Sequence, residues 1–84
     1  MVDEYKKQFN NIKELVESKG FTYRDYMRVD YFTIEVFKYC KNTGYTVGFE
    51  LWSRFHWMSI HNYKDIIAFI KKSMKESDEE LFNN

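Results

Sequence analysis

The side chains able to do chemistry are few and widely spaced. Glu35 and Glu50 lie in two segments that read as neighbouring strands, and a hairpin between them would set the two carboxylates face to face. Paired carboxylates can share a proton and act as acid and base, but only beside a nucleophile or a substrate pocket, and the sequence supplies no candidate nucleophile–base–oxyanion set. Cys40, His56 and His61 are potential metal ligands whose spacing matches no known site. Cys40 is the only cysteine, so no internal disulfide forms, and nothing adjacent in sequence would activate it as a nucleophile. Lys71, Lys72 and Lys75 cluster on what reads as the solvated side of a helix. The three glycines do not form a phosphate loop. The expectation is a protein that is not an enzyme and needs no cofactor or metal.

The elements that must position these residues follow from periodicity. Tyr5, Phe9, Ile12 and Val16, with Leu15 beside them, recur at helical spacing and predict a helix over residues 3–19; Asp3 and Glu4 suit its positive end and Gly20 its stop. From Phe21 the period changes to two. Tyr23 to Arg28 reads as a first strand turning at Val29-Asp30. Tyr31 to Cys40 and Tyr45 to Trp52 read as the next two, joined by Lys41-Asn42-Thr43-Gly44. A turn at Ser53-Arg54 would lead into a fourth strand, Phe55 to Ile60. Tyr63, Ile66, Ile67, Ile70 and Met74 restore helical spacing over residues 62–76, with Asn62 and Asp65 as a capping arrangement. The acidic stretch 76–84 is expected either to fray or to dock through Leu81 and Phe82. The predicted fold class is α+β: one two-layer domain over 1–84, an α-β-β-β-β-α antiparallel meander with both helices on one face of the sheet.

Register follows from the turns. A turn centred on Asn42-Thr43 pairs Val36 with Phe49, Ile34 with Leu51, Glu35 with Glu50 and Phe37 with Gly48, where an aromatic ring can cover bare backbone. A turn at Val29-Asp30 sets Arg24 opposite Glu35, where it would partly neutralise the opposed acids. A turn at Ser53-Arg54 would pair Leu51 with His56 and Phe49 with Met58. One face then holds Phe32, Ile34, Val36, Val47, Phe49, Leu51, Met58 and Ile60, with His56 among them, and is expected under the helices. The other holds Tyr31, Phe37, Tyr39, Trp52, Phe55 and Trp57, crossed by a row Arg24–Glu35–Glu50–Trp57.

Composition makes that second face the leading feature. The chain has 8 Phe, 7 Tyr and 2 Trp in 84 residues, and all but Tyr5, Phe9, Phe69 and Phe82 fall between Phe21 and Tyr63. This exceeds what one small core uses, and an uncovered aromatic sheet face is characteristically a binding surface. It could also close as a second small core or stack into a homodimer. Charges balance at 13 against 13, so no global field attracts nucleic acid or acidic membrane. Lone-cysteine usage points to the cytoplasm. The opening stretch is charged rather than signal-like, and the longest apolar run, Ile66 to Ile70, is too short to span a bilayer.

The order helix, three strands, helix over residues 3–76 resembles the double-stranded-RNA-binding domain. Glu17-Ser18-Lys19-Gly20 before the sheet and Tyr31-Phe32-Thr33-Ile34-Glu35-Val36 as central strand carry the likeness. The resemblance implies topology alone. Where that family has a lysine-rich motif at the start of its last helix, this chain reads His61-Asn62-Tyr63-Lys64-Asp65, and the phosphate contacts are missing. The functional expectation is a protein-binding module anchored by Trp52, Trp57, Phe55 and Tyr39, with Phe37 and Tyr31 beside them and Arg54, Glu50 and Glu35 setting specificity. Its Lys, Asn, Ile, Phe and Tyr content fits an AT-rich bacterial or phage source, where a binder of this size is expected among anti-defence, antitoxin or immunity inhibitors. The alternative is a nucleic-acid-binding domain that stacks bases on the sheet aromatics or uses the lysines of the last helix.

Overall fold

The first helix, α1 (Lys6–Ser18), buries Phe9, Ile12 and Val16 along one stripe. It ends in a Schellman arrangement: Phe21 N–H donates to the Val16 carbonyl (3.2 Å) and Gly20 N–H to the Glu17 carbonyl (3.0 Å). Gly20 stands at φ +80°, a conformation that strains any residue with a Cβ. Phe21 and Val16, brought together by this cap, are both buried. The computed structural model describes residues 5–83, so Asp3 and Glu4, expected at the helix start, lie outside the described residues.

Three strands follow, β1 (Thr22–Met27), β2 (Tyr31–Tyr39) and β3 (Thr46–Arg54), in an antiparallel meander of order β1-β2-β3. Val29-Asp30 forms the first turn, closed by the Arg28 N–H on the Tyr31 carbonyl (2.9 Å). The second is closed by the Cys40 N–H on the Tyr45 carbonyl (2.9 Å), with Gly44 at φ +77°. The register is the one that the turns predict: Arg24 opposite Glu35, Glu35 opposite Glu50, Val36 opposite Phe49, Ile34 opposite Leu51 and Phe37 opposite Gly48.

The expected fourth strand is not formed. Phe55–Met58 is a short 3₁₀ helix leading directly into α2 (Ile60–Asn83). In a 3₁₀ turn residues three apart eclipse, so Phe55 and Met58 enter the core together. A strand would have sent them to opposite sides. The pairings Leu51–His56 and Phe49–Met58 are therefore absent, β3 is an edge strand, and His56 is exposed rather than helix-facing. The described residues thus form an α+β domain with three strands.

The helix α2 is longer than its apolar spacing predicts and contains the acidic stretch as far as Asn83. Its start is held by Ser59, whose carbonyl accepts the N–H groups of Asn62 (3.0 Å) and Tyr63 (2.9 Å), rather than by the Asn62–Asp65 arrangement. No glycine or proline follows Ser59, so nothing in the backbone stops the helix. Far along it Ser77 is buried, and Asp78 accepts a 2.7 Å hydrogen bond from Lys38 Nζ at the end of β2. These contacts tie the acidic half to the sheet, where fraying was the alternative. The side chains of Ile60 and Phe82, both expected to pack, are outside the described residues.

Both helices lie on one face of the sheet. Phe9, Ile12 and Val16 of α1 and Ile66, Ile70 and Met74 of α2 share one core with Phe32, Ile34, Val36, Phe55 and Met58. Phe55 seats among the aromatics, 5.6 Å from Phe32 and 6.4 Å from Phe9 between ring centroids. Among the described residues no helix is long and apolar enough to cross a membrane.

Candidate functional site

With the helices on one side, strand alternation sends Thr22, Arg24 and Tyr26 of β1, the odd-numbered residues of β2 and the even-numbered residues of β3 to the other. Three rows cross the middle of this open face. Tyr26, Thr33 and Trp52 stand in register; next to them come Arg24, Glu35 and Glu50; then Thr22, Phe37 and Gly48. Trp52 is 58% exposed, Tyr39 59% and Tyr26 42%. The Tyr31 and Trp52 rings sit 5.1 Å apart between centroids, tilted by 41°.

Among the described residues the central acids form no ion pair with the arginines around them. Arg24 is opposite Glu35 as expected, yet its guanidinium carbon lies over the Phe37 ring, 5.3 Å from the centroid. Arg54 reaches Asp30 at 3.6 Å, with both side chains well exposed. Neither Glu35 nor Glu50 has an ion-pair partner among the described residues. The two acids separate two shallow recesses. One, of about 310 Å³, is lined by Tyr26, Arg28, Tyr31, Thr33 and Trp52 together with both acids. The other, of about 440 Å³, lies over Phe37 and Gly48. At Gly48 a Cβ would come within 2.3 Å of the Val36 carbonyl oxygen and 2.8 Å of Phe37 Cβ, so the Phe37 side chain packs directly on glycine backbone.

Of the sequence-predicted site residues, Tyr31, Glu35, Phe37, Glu50 and Trp52 come together on this face. Tyr39 lies at one end of it, opposite Thr46, and Arg54 at the other, opposite Tyr31. Phe55 does not belong: it is 4% exposed in the core. Trp57 stands on the 3₁₀ turn, exposed, with the His56 ring 6.1 Å away, so the row Arg24–Glu35–Glu50 is not continued by it. Tyr26 and Thr33 are the residues that sequence reasoning missed. Extending the Arg24–Glu35 register by two residues places Tyr26 opposite Thr33, so the signal was present.

A larger concavity lies elsewhere. A groove of about 730 Å³ between the end of α1 and the middle of α2 is lined by Leu15, Lys19, Lys71, Met74, Lys75, Asp78 and Glu79. Its apolar floor is mostly closed, because Met74 is 3% exposed, and Asp78 is engaged by Lys38. The lysines rim it as solvated side chains, so it has size without a convergent polar set.

Among the described residues Tyr23 and Cys40 are shifted, and neither joins the open-face rows. Burial, with the hydrogen bond its hydroxyl donates to Asp25 (2.7 Å), pushes the Tyr23 phenol well up. The Cys40 thiol, in the β2–β3 turn, is held below its ordinary range by a hydrogen bond with the Thr43 side chain and then by the Thr43 and Asn42 backbone. Among the described residues no group of three or more His, Cys, Asp or Glu side chains could hold a metal ion. Comparison of the chain with protein-family models, curated proteins and solved structures finds no match.

Proposed function

We propose that the chain is a small non-enzymatic protein-binding module whose partner docks on the open face of the sheet. One observation carries the reading: the face opposite both helices is uncovered among the described residues and holds Tyr26, Tyr31, Phe37, Tyr39 and Trp52 around two acids that have no ion-pair partner there. Exposed aromatic clusters of this kind supply interface anchors, since buried Trp and Tyr dominate binding energetics. Composition directs the search for the partner toward the targets of anti-defence, antitoxin and immunity proteins. A second copy of the chain, stacked sheet to sheet, is the competing occupant of the same face.

Nucleic acid suits the face less well. Stacking surfaces for single strands need a basic surround, and although Arg24, Arg28 and Arg54 lie among the rings, the centre of the face is Glu35 and Glu50, and Lys71, Lys72 and Lys75 lie on α2, which packs against the opposite face.

The test is capture from a nuclease-treated lysate of the source organism, with tagged wild type beside Trp52→Glu. The expected result is a partner retained by the wild type and lost by the variant. The same partner on both baits removes the sheet face from the reading, and capture only when nuclease is omitted transfers it to nucleic acid. Sedimentation of the isolated protein as a monomer excludes the second copy.

A further inference from the structure

Within the open face, the recess beside the acid pair has the form of a receptor for one cationic side chain. Its floor is Thr33, a short residue, half-exposed at the centre of β2. Its walls are Tyr26 on β1 and Trp52 on β3, which flank Thr33 in register. Two strand spacings separate the wall backbones by roughly 10 Å. Tyr26 has no ring partner among the described residues, so the space over Thr33 is not closed by a Tyr26–Trp52 contact. Tyr31 seals one end against Trp52, with ring centroids 5.1 Å apart. Glu35 and Glu50 form the other end, directly opposed across the β2–β3 pair.

Opposed carboxylates destabilise a strand pair unless a cation lies between them. The cations nearest at hand do not fill that role. Arg24 is drawn aside over Phe37, and Arg28, although it lines the recess, is not within ion-pair distance of either acid. Aromatic faces attract a cation through their quadrupoles, and two carboxylates add a directional charge. A guanidinium matches both at once, since it is planar, stacks on rings and donates in a fork to carboxylate oxygens. A volume of about 310 Å³ suits one such side chain rather than a helix or strand.

We propose that this recess is an arginine-binding slot, in which the partner inserts one arginine between Tyr26 and Trp52 with its guanidinium on Glu35 and Glu50. The inference rests on the open-face reading and specifies what the partner presents there.

The two tryptophans provide a built-in comparison, since Trp52 walls the slot and Trp57 stands apart on the 3₁₀ turn. The experiment titrates ¹⁵N-labelled full-length protein with N-acetyl-arginine-methylamide, and separately with the citrulline analogue, which has the same shape without the charge. The expected result is a saturating shift of the Trp52 indole N–H and of the Glu35 and Glu50 amides with the arginine probe, no such shift with citrulline, and a stationary Trp57 indole. The Glu35→Gln/Glu50→Gln double variant is expected to bind the probe at least about tenfold more weakly. Removing opposed charges should leave that variant at least as stable as the wild type, so thermal unfolding separates lost binding from lost fold. A Trp52 indole that does not move at tens of millimolar arginine probe overturns the slot, as does an equal response to citrulline.

The same double variant is then used as bait in the lysate capture. If it holds the partner as tightly as wild type while Trp52→Glu loses it, the slot fails and the open-face reading survives. If Trp52→Glu also holds the partner, the face itself fails.

Discussion

The two faces of the sheet are built from alternate residues of the same strands and have opposite fates. On β2, Phe32, Ile34 and Val36 are at most 1% exposed beneath the helices. Their neighbours Tyr31, Thr33, Glu35 and Phe37 are half-exposed on the other side. The covered face is mainly aliphatic, with Tyr23, Phe32 and Phe49 as its rings, and its packing partners come from both helices. The open face has larger rings, two acids and, among the described residues, no covering element. Backbone geometry is shared, so the difference lies in side-chain chemistry alone. One face supplies the apolar burial that holds the fold, and the other carries the proposed partner surface. Substitutions on adjacent residues should therefore separate stability from binding.

The largest contrast is between Phe32 and Trp52. Phe32 is fully buried and touches the Phe9 ring edge-on at 5.0 Å as well as Phe55. Phe32→Ala removes those contacts and leaves a cavity, which should cost about 3–5 kcal/mol. That is much of the stability a small domain has. Phe32→Leu should be milder and keep the protein folded. Trp52→Ala removes a larger side chain, yet one already 58% in water, and should shift stability by only about 0.5 kcal/mol. Denaturant midpoints for the three variants check the ordering. Equal losses at Phe32 and Trp52 would mean that the open face is also structural.

The faces were legible in the sequence because each hairpin carries its own register marker. Val29-Asp30 and the turn at Asn42-Thr43 fix the pairing, and the two-residue period then assigns every side chain to a side. The segment after Arg54 was not legible. Phe55-His56-Trp57-Met58 satisfies both strand alternation and the three-residue spacing of a 3₁₀ turn, and four residues are too few for periodicity to decide. Tertiary packing decided it: Phe9 and Phe32 accept Phe55, and Met58 reaches the same core. That displacement took Phe55 and Trp57 out of the anticipated site and left β3 as an edge. The end of α2 was illegible for another reason. Its acids disfavour a helix C-terminus, but Lys38, some forty residues earlier in the chain, compensates at Asp78.

Gly48 tests how closely the open face is fitted to its own backbone. Its φ is not in the left-handed region, so no conformational strain attends a side chain there. Space is the obstacle: a Cβ would approach the Val36 carbonyl oxygen to 2.3 Å, and backbone cannot swing away as a side chain would. Gly48→Ala should therefore destabilise by about 1–3 kcal/mol, the usual range for overpacking. Phe37→Gly, which removes the Cβ that would lie at 2.8 Å, should not lessen the cost of Gly48→Ala if the carbonyl is the obstacle, whereas a lessened cost would show that the Phe37 Cβ excludes the side chain. Thermal unfolding of the single and double variants distinguishes these.

The smallest effect carries the most information about design, because its sign is opposite. Glu50 is exposed and lies directly across from Glu35, with no ion-pair partner for either among the described residues. Replacing one acid by its uncharged isostere keeps shape and packing while removing the repulsion. Glu50→Gln should raise stability by a few tenths of a kcal/mol, as expected for like charges opposed across a strand pair. The gain should shrink as added salt screens the pair in the wild type. On the covered face nearly every substitution is expected to lose stability, so a gain here would mark the acid pair as retained at the expense of the fold. A stability loss on Glu50→Gln, persisting in high salt, would instead show that the carboxylate is part of the folded framework and would remove the electrostatic basis for an arginine-binding slot.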